Sequence, residues 1–284
     1  MQHLWIFYVF IYSFLKGTRD GMKKAALKRA SSSEILFFYS LIGLILILPF
    51  SKNAFHTPPI YIFYTFIKSA VVSTGWLMAL YALNRMTVSL YGIMDMSRMI
   101  FSTFLGVVVL GETLTIPKVI GIVLVILGLT LVNTRNKEGA EKANGFVLTA
   151  ALLNCVLNSI SGTMDKALMK TMEADQLQFW FMLFSFLFYS VIIMVRKEKI
   201  SLKSLKGNYW VPLMSASLVF GDRLLFIANA MPESQVTLMT VIKQSAVIVT
   251  IICGRLFFKD KDIAYKLMCA SVILCGIFIA LLWG

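Results

Sequence analysis

The chain has 284 residues, of which 58% are apolar and only 14% charged, and its formal net charge is +13. Mean hydropathy is +0.80, whereas an ordinary soluble domain carries about 25% charged residues. These values exclude a soluble enzyme and a disordered tail, and they imply a polytopic membrane protein. The basic surplus falls mainly in short gaps between apolar runs, which is the distribution of cytoplasmic loops and not of a nucleic-acid binder.

The apolar run at 4–15 is followed by Lys16-Gly17-Thr18-Arg19-Asp20 and not by a small-residue cleavage site, so it reads as a retained first helix. The basic cluster from Arg19 to Arg29 is then expected at the cytoplasmic surface, as an anchor. Ser31-Ser32-Ser33-Glu34 supplies cap chemistry for a second run at 35–50. A third, 60–83, opens after Pro58-Pro59 and contains Lys68 and Trp76; a fourth, 88–110, contains Tyr91, Asp95 and Arg98. The fifth, 119–132, opens after Pro117, where a missing N–H costs least, and its Gly121 and Gly128 suit close helix contact.

A polar stretch at 133–144 divides the chain into 1–140 and 141–284. The second part repeats the pattern with runs at 146–160, 177–195, 209–231, 236–258 and 267–282. A membrane-crossing helix needs about 20 mostly apolar residues. The expected fold is therefore an all-α membrane protein of ten transmembrane helices.

The two parts resemble each other. Gly17-Thr18-Arg19-Asp20 recurs as Gly162-Thr163-Met164-Asp165, and Leu110-Gly111-Glu112 aligns with Phe258-Lys259-Asp260, with Gly128 and Gly276 following in register. Five helices per repeat is an odd number, so the two five-helix repeats are expected to be inverted in the membrane. The loops opposite the termini carry Lys24, Lys28, Arg29, Lys137, Lys142, Arg196, Lys197, Lys199, Lys203 and Lys206, among others. The terminal side holds Lys52, Lys118, Lys166 and Lys170. The positive-inside rule then places both termini outside, in a multi-pass plasma-membrane protein.

A charge at the bilayer centre costs roughly 2.5–3.5 kcal/mol, so intramembrane charges mark the site. Tyr91, Asp95, Arg98 and Ser102 are spaced four, three and four apart and share one helical face. Lys243 stands 148 residues after Asp95, the equivalent position in the second half. The pair reads as a two-pole site near the midplane, or as a structural network in which Arg98 or Lys243 satisfies Asp95. Lys68, Asp222, Arg223, Trp76 and Tyr91 complete the expected substrate-binding set. Asn154, Asn158, Ser161 and Asp165 form a further polar stripe.

The four cysteines all lie in apolar runs, and the sequence contains no CxxC, no HExxH and no Walker A loop. No catalytic residue, metal or cofactor is expected. The expected partners are a small-molecule substrate, protons and the lipid bilayer.

Two five-helix halves, each with an acidic residue before its last helix, resemble the drug/metabolite transporter superfamily of EamA type. The segments that carry this likeness are Phe104 to Leu114 with Gly121 and Gly128, and Lys243-Gln244-Ser245 through Asp260. The resemblance implies an alternating-access carrier whose cavity is lined by helices one, three, four, six, eight and nine. Many members carry a proline some thirteen residues before each loop acid; Met99 and Val247 stand there in this chain, which removes the cause of the kinks the family would imply. The leading expectation is a secondary carrier of a small polar or zwitterionic metabolite, amino acids foremost, with Asp95 for an ammonium or a coupled proton and Lys243 or Arg98 for a carboxylate. The alternative is an exchanger of phosphorylated or nucleotide-linked metabolites. An exporter of lipophilic cations or a non-transporting receptor fits less well.

Overall fold

A computed structural model describes residues 4–111, 113–135, 145–198, 200 and 207–283. Glu112, the division at residue 140, and Lys137, Lys142, Lys199, Lys203 and Lys206 lie outside the described residues. Among those described, all regular structure is helical. In chain order the α-helices are α1 (Leu4–Ala26), α2 (Ser32–Ile47), α3 (Pro59–Arg85), α4 (Val88–Asp95), α5 (Arg98–Leu110), α6 (Ile116–Arg135), α7 (Gly145–Leu168), α8 (Ala174–Arg196), α9 (Trp210–Ala230), α10 (Val236–Lys243), α11 (Ala246–Phe258) and α12 (Ile263–Trp283). Among the described residues, six helical stretches are long and apolar enough to cross a membrane: Ser32–Phe50, α3, Val88–Leu110, α7, α8 and α9.

The surface inverts the soluble pattern. Phe7, Phe14, Phe63, Phe66, Val108, Val195 and Phe220 are all exposed, while Lys16, Arg19, Asp20, Lys68, Asp95 and Asp222 are buried. Apolar side chains facing outward and charges facing inward are what a hydrocarbon solvent selects. The expectation of a surface anchor beginning at Arg19 is corrected by this arrangement. Helix α1 does not stop near Leu15 but continues to Ala26, and Arg19 and Asp20 are each 4% exposed. Phe7, Phe10 and Phe14 take the outer face of the helix, and the charged positions share the inner one.

Helix packing sorts into two groups. In one, α1 lies against α9 and α11, and α2 also lies on α9; in the other, α3 lies against α7 and α8, and α5 on α7. The groups meet where α2 faces α8, α4 faces α11 and α5 faces α10, while α6 pairs with α12. The α6–α12 contact depends on glycine. A Cβ at Gly276 would stand 2.7 Å from Leu124 Cβ and 3.1 Å from the Gly121 carbonyl, and one at Gly128 would meet Ile273 at 2.3 Å.

Helices α4 and α5 together mirror α10 and α11. Each of the four boundaries in the first half, at 88, 95, 98 and 110, recurs 148 residues later at 236, 243, 246 and 258. Both pairs end on a left-handed residue, Gly111 (φ 70°) and Lys259 (φ 55°). Both are also interrupted without a proline. Ser97 (φ −60°, ψ −18°) and Ser245 (φ −58°, ψ −20°) tighten the chain toward a 3₁₀ turn. There Met99 N donates to Met96 O (3.1 Å), and Val247 N donates to Gln244 O (3.0 Å). The absence of proline thus does not remove the break. Ser159 Oγ donates to the Arg98 carbonyl at 3.2 Å.

Loops from one end of the bundle touch one another. Asp260 accepts from Ser89 N (3.0 Å) and Ser89 Oγ (2.5 Å), and Asn208 Nδ2 donates to Ala26 O (3.1 Å). At the other end Asn53 Nδ2 donates to Glu173 Oε2 (2.9 Å), and Trp180 Nε1 donates to Ala54 O (2.9 Å).

Candidate functional site

The two groups of helices enclose a polar cavity of about 80 Å³. Helical spacing explains its wall. Tyr12, Lys16, Arg19 and Lys23 follow one face of α1; Lys68, Val72, Trp76 and Ala79 follow one face of α3; Asn154, Asn158, Ser161 and Asp165 follow one face of α7. Tyr91 and Asp95 enter from α4, Arg98 from the start of α5, Asp222 from α9 and Lys243 from the end of α10. Tyr39 of α2 and Phe181 of α8 close the apolar side.

Of the eight residues expected at the site, Asp95, Arg98, Lys243, Lys68, Asp222, Trp76 and Tyr91 line this one cavity. Arg223 does not. Neighbours on a helix point about 100° apart, and its guanidinium instead stands 5.5 Å from the Phe50 ring. Residues outside the expected set are equally prominent: Lys16, Arg19, Asp20, Lys23 and Asp165 also line the wall. The repeated Gly-Thr-x-Asp of the two halves contained a signal for two of them, because its aspartates are Asp20 and Asp165.

The charges are arranged in pairs, with one left over. Asp95 is held by Lys16 Nζ and by Arg98 Nη2, the latter at 2.8 Å. Arg98 at i+3 therefore does satisfy Asp95, and Lys16 of α1 takes the second position. Lys68 Nζ is 3.1 Å from Asp165 Oδ1 and sits 3.8 Å above the Phe181 ring. Lys23 Nζ meets Asp20 Oδ1 at 3.1 Å. Arg19 Nη1 is 3.8 Å from Asp222 Oδ1, an ion pair too long to be a hydrogen bond. All four aspartates in the wall thus have cationic partners.

Lys243 is different. It is 8% exposed and makes no ion pair among the described residues, and its ammonium stands 5.8 Å from the Tyr12 ring centroid. The buried Nε and Nη1 of Arg19 and Nε of Arg98 also lack hydrogen-bond acceptors among the described residues. Six basic side chains face four acidic ones across the cavity, so its unfilled hydrogen-bonding capacity is mostly that of cationic donors. Neutral polar groups complete the wall: Asn154 Nδ2 donates to Tyr91 Oη at 3.2 Å, and Asn158 Nδ2 donates to Asn154 Oδ1 at 2.5 Å.

At about 80 Å³ the cavity is smaller than sites for small molecules, which usually measure about 300 Å³ or more.

A solved crystal structure, described only as that of a protein, matches over 98% of this chain and 96% of its own, with a TM-score of 0.66 at 12% identity. That likeness shows the fold. No curated relative matches the sequence. The model of the EamA-like transporter family matches twice, over residues 3–134 and 145–282. Multi-pass membrane architecture, a buried polar cavity between two groups of helices and a family match spanning both halves lead to one statement: the chain belongs to the EamA-like transporter family, of the drug/metabolite transporter superfamily.

Proposed function

We propose that the protein is a secondary active carrier that moves a small polar or zwitterionic metabolite, amino acids foremost, by alternating access and with proton coupling. The accompanying architecture is ten spans in two inverted five-helix halves, in the plasma membrane with both termini outside. The helix boundaries and interruptions that recur at 148 residues support the duplication. The gathering of basic loop residues on one side supports the orientation.

The observation that carries the substrate class is Lys243, a buried ammonium with no ion-pair partner among the described residues, in a cavity whose aspartates are all paired. A substrate carboxylate would supply the missing counter-charge, with the free Nε of Arg98 as a second donor. The substrate ammonium would compete with Lys16 for Asp95. The exchange replaces one cation by another, so Asp95 is never left uncompensated in low dielectric.

The test is uptake of labelled amino acids by proteoliposomes, with and without a pH gradient. Saturable uptake is expected in the wild type. In Lys243→Ala kcat/KM should fall at least about thirtyfold, as removal of a buried charged contact costs about 2 kcal/mol or more. Asp95→Asn should abolish stimulation by the gradient. Undiminished uptake in Lys243→Ala, or gradient-driven uptake in Asp95→Asn, sinks the corresponding role. The excess of basic over acidic wall residues favours a second reading, exchange of phosphorylated metabolites. Inhibition by inorganic phosphate together with a strict need for counter-substrate would select it.

A further inference from the structure

Lys24 and Lys166 make the same kind of contact at opposite ends of the bundle, although they stand 142 residues apart and their acceptors 145. Lys24, near the end of α1, follows the cavity residue Lys23; Lys166, near the end of α7, follows the cavity residue Asp165. Lys24 Nζ donates to the carbonyls of Leu83, Asn84 (3.2 Å) and Met86 (2.9 Å), where α3 ends. Lys166 Nζ donates to the carbonyls of Asn229 (3.0 Å) and Met231 (3.0 Å) and to Ser234 Oγ (2.7 Å), where α9 ends. Asn84 and Met86 correspond to Asn229 and Met231 at one common spacing of 145.

The last carbonyls of a helix have no donor of their own, and a lysine with three N–H groups fits such a cluster and the negative helix end. What matters is which bodies are tied. Helix α1 packs with α9, and α3 packs with α7. Lys24 therefore reaches from the first group of helices to the second at one end, and Lys166 reaches from the second group back to the first at the other. Both side chains are half-buried, so water can reach the ammonium groups when they leave these acceptors.

We propose that Lys24 and Lys166 are the two gate latches of the carrier. Opening toward either end requires that end's lysine to leave its acceptors while the opposite lysine stays bound, and the closed state has both engaged. This rests on the alternating-access reading above.

The test places a reporter, Ser161→Cys on the cavity wall, in a variant whose four native cysteines are replaced. Its labelling by a membrane-impermeant maleimide is timed in right-side-out and inverted vesicles without substrate. Lys24→Met should speed labelling about tenfold from the side of the α1–α2 loop only, and Lys166→Met from the side of the α9–α10 loop only. Lys24→Arg and Lys166→Arg should stay within about twofold of the parent. Lys24→Gln, with two donors, should fall between and serves if the methionine variant does not fold. Unchanged rates, or equal acceleration from both sides, overturn the latches. Should the latches fail while the parent reporter still labels from both sides, the carrier reading stands; labelling from one side alone in every variant removes both.

Discussion

Lys68→Met is expected to destabilise the protein strongly, and a second substitution should reverse the loss. Lys68 is 2% exposed, 3.1 Å from Asp165 Oδ1 and 3.8 Å over the Phe181 ring. Methionine roughly keeps the volume but leaves Asp165, itself 6% exposed, without its cation. Removing one partner of a buried ion pair costs about 3–5 kcal/mol, chiefly the cost of the stranded charge. At roughly 2–4 °C per kcal/mol for chains of this size class, melting should drop on the order of 10 °C. Lys68→Met with Asp165→Asn carries no stranded charge and should recover most of that drop. The assay is thermal unfolding in detergent followed by tryptophan fluorescence. A single variant melting within about 2 °C of wild type, or a double variant melting as low as the single, would refute the reasoning.

Other perturbations test separate parts of the structure. Gly276→Val should loosen the α6–α12 contact, because its Cβ would stand 2.7 Å from Leu124 Cβ and 3.1 Å from a backbone carbonyl; a loss of about 1–3 kcal/mol is expected in the same melting assay. Asp260→Ala removes the acceptor of Ser89 N and Oγ, at a cost of about 1–3 kcal/mol, and the Ser89 amide should exchange its hydrogen faster. Arg223→Met should leave uptake within about twofold of wild type, since Arg223 does not line the cavity, in contrast to Lys243→Ala.

The sequence made α4 and α5 readable because their charges are sparse. The run at 88–110 has the bounds of the observed helix pair, and the four-three spacing of Tyr91, Asp95 and Arg98 survives the break at Ser97 well enough to keep them on one wall. The same holds for the polar stripe of α7. Helix α1 is longer than its apolar run, and hydropathy misses this because it counts charges singly, whereas in the fold they are paired. Arg19 looks like the start of an interfacial cluster until Asp222 is seen beside it, and Lys16 has its partner in Asp95; those partners lie 203 and 79 positions away. The interruptions at Ser97 and Ser245 have no proline to announce them; backbone tightening there leaves no mark in residue type. Tyr12 and Tyr39 line the cavity, yet in apolar runs they read as filler.

The charged inner face of α1 also sets the order in which the protein can be completed. Its apolar stretch is short, and its counter-ions are supplied by helices made later. Asp95 arrives for Lys16 within the first half, but Arg19 waits for Asp222. At 5–20 residues per second, that interval is roughly 10–40 s of synthesis. During it Arg19 is without the carboxylate that it faces in the finished structure. A ribosome-bound chain halted before α9 should therefore hold α1 at the membrane surface or in the care of the insertion machinery, and the amino-terminal helix would be among the last to take its place.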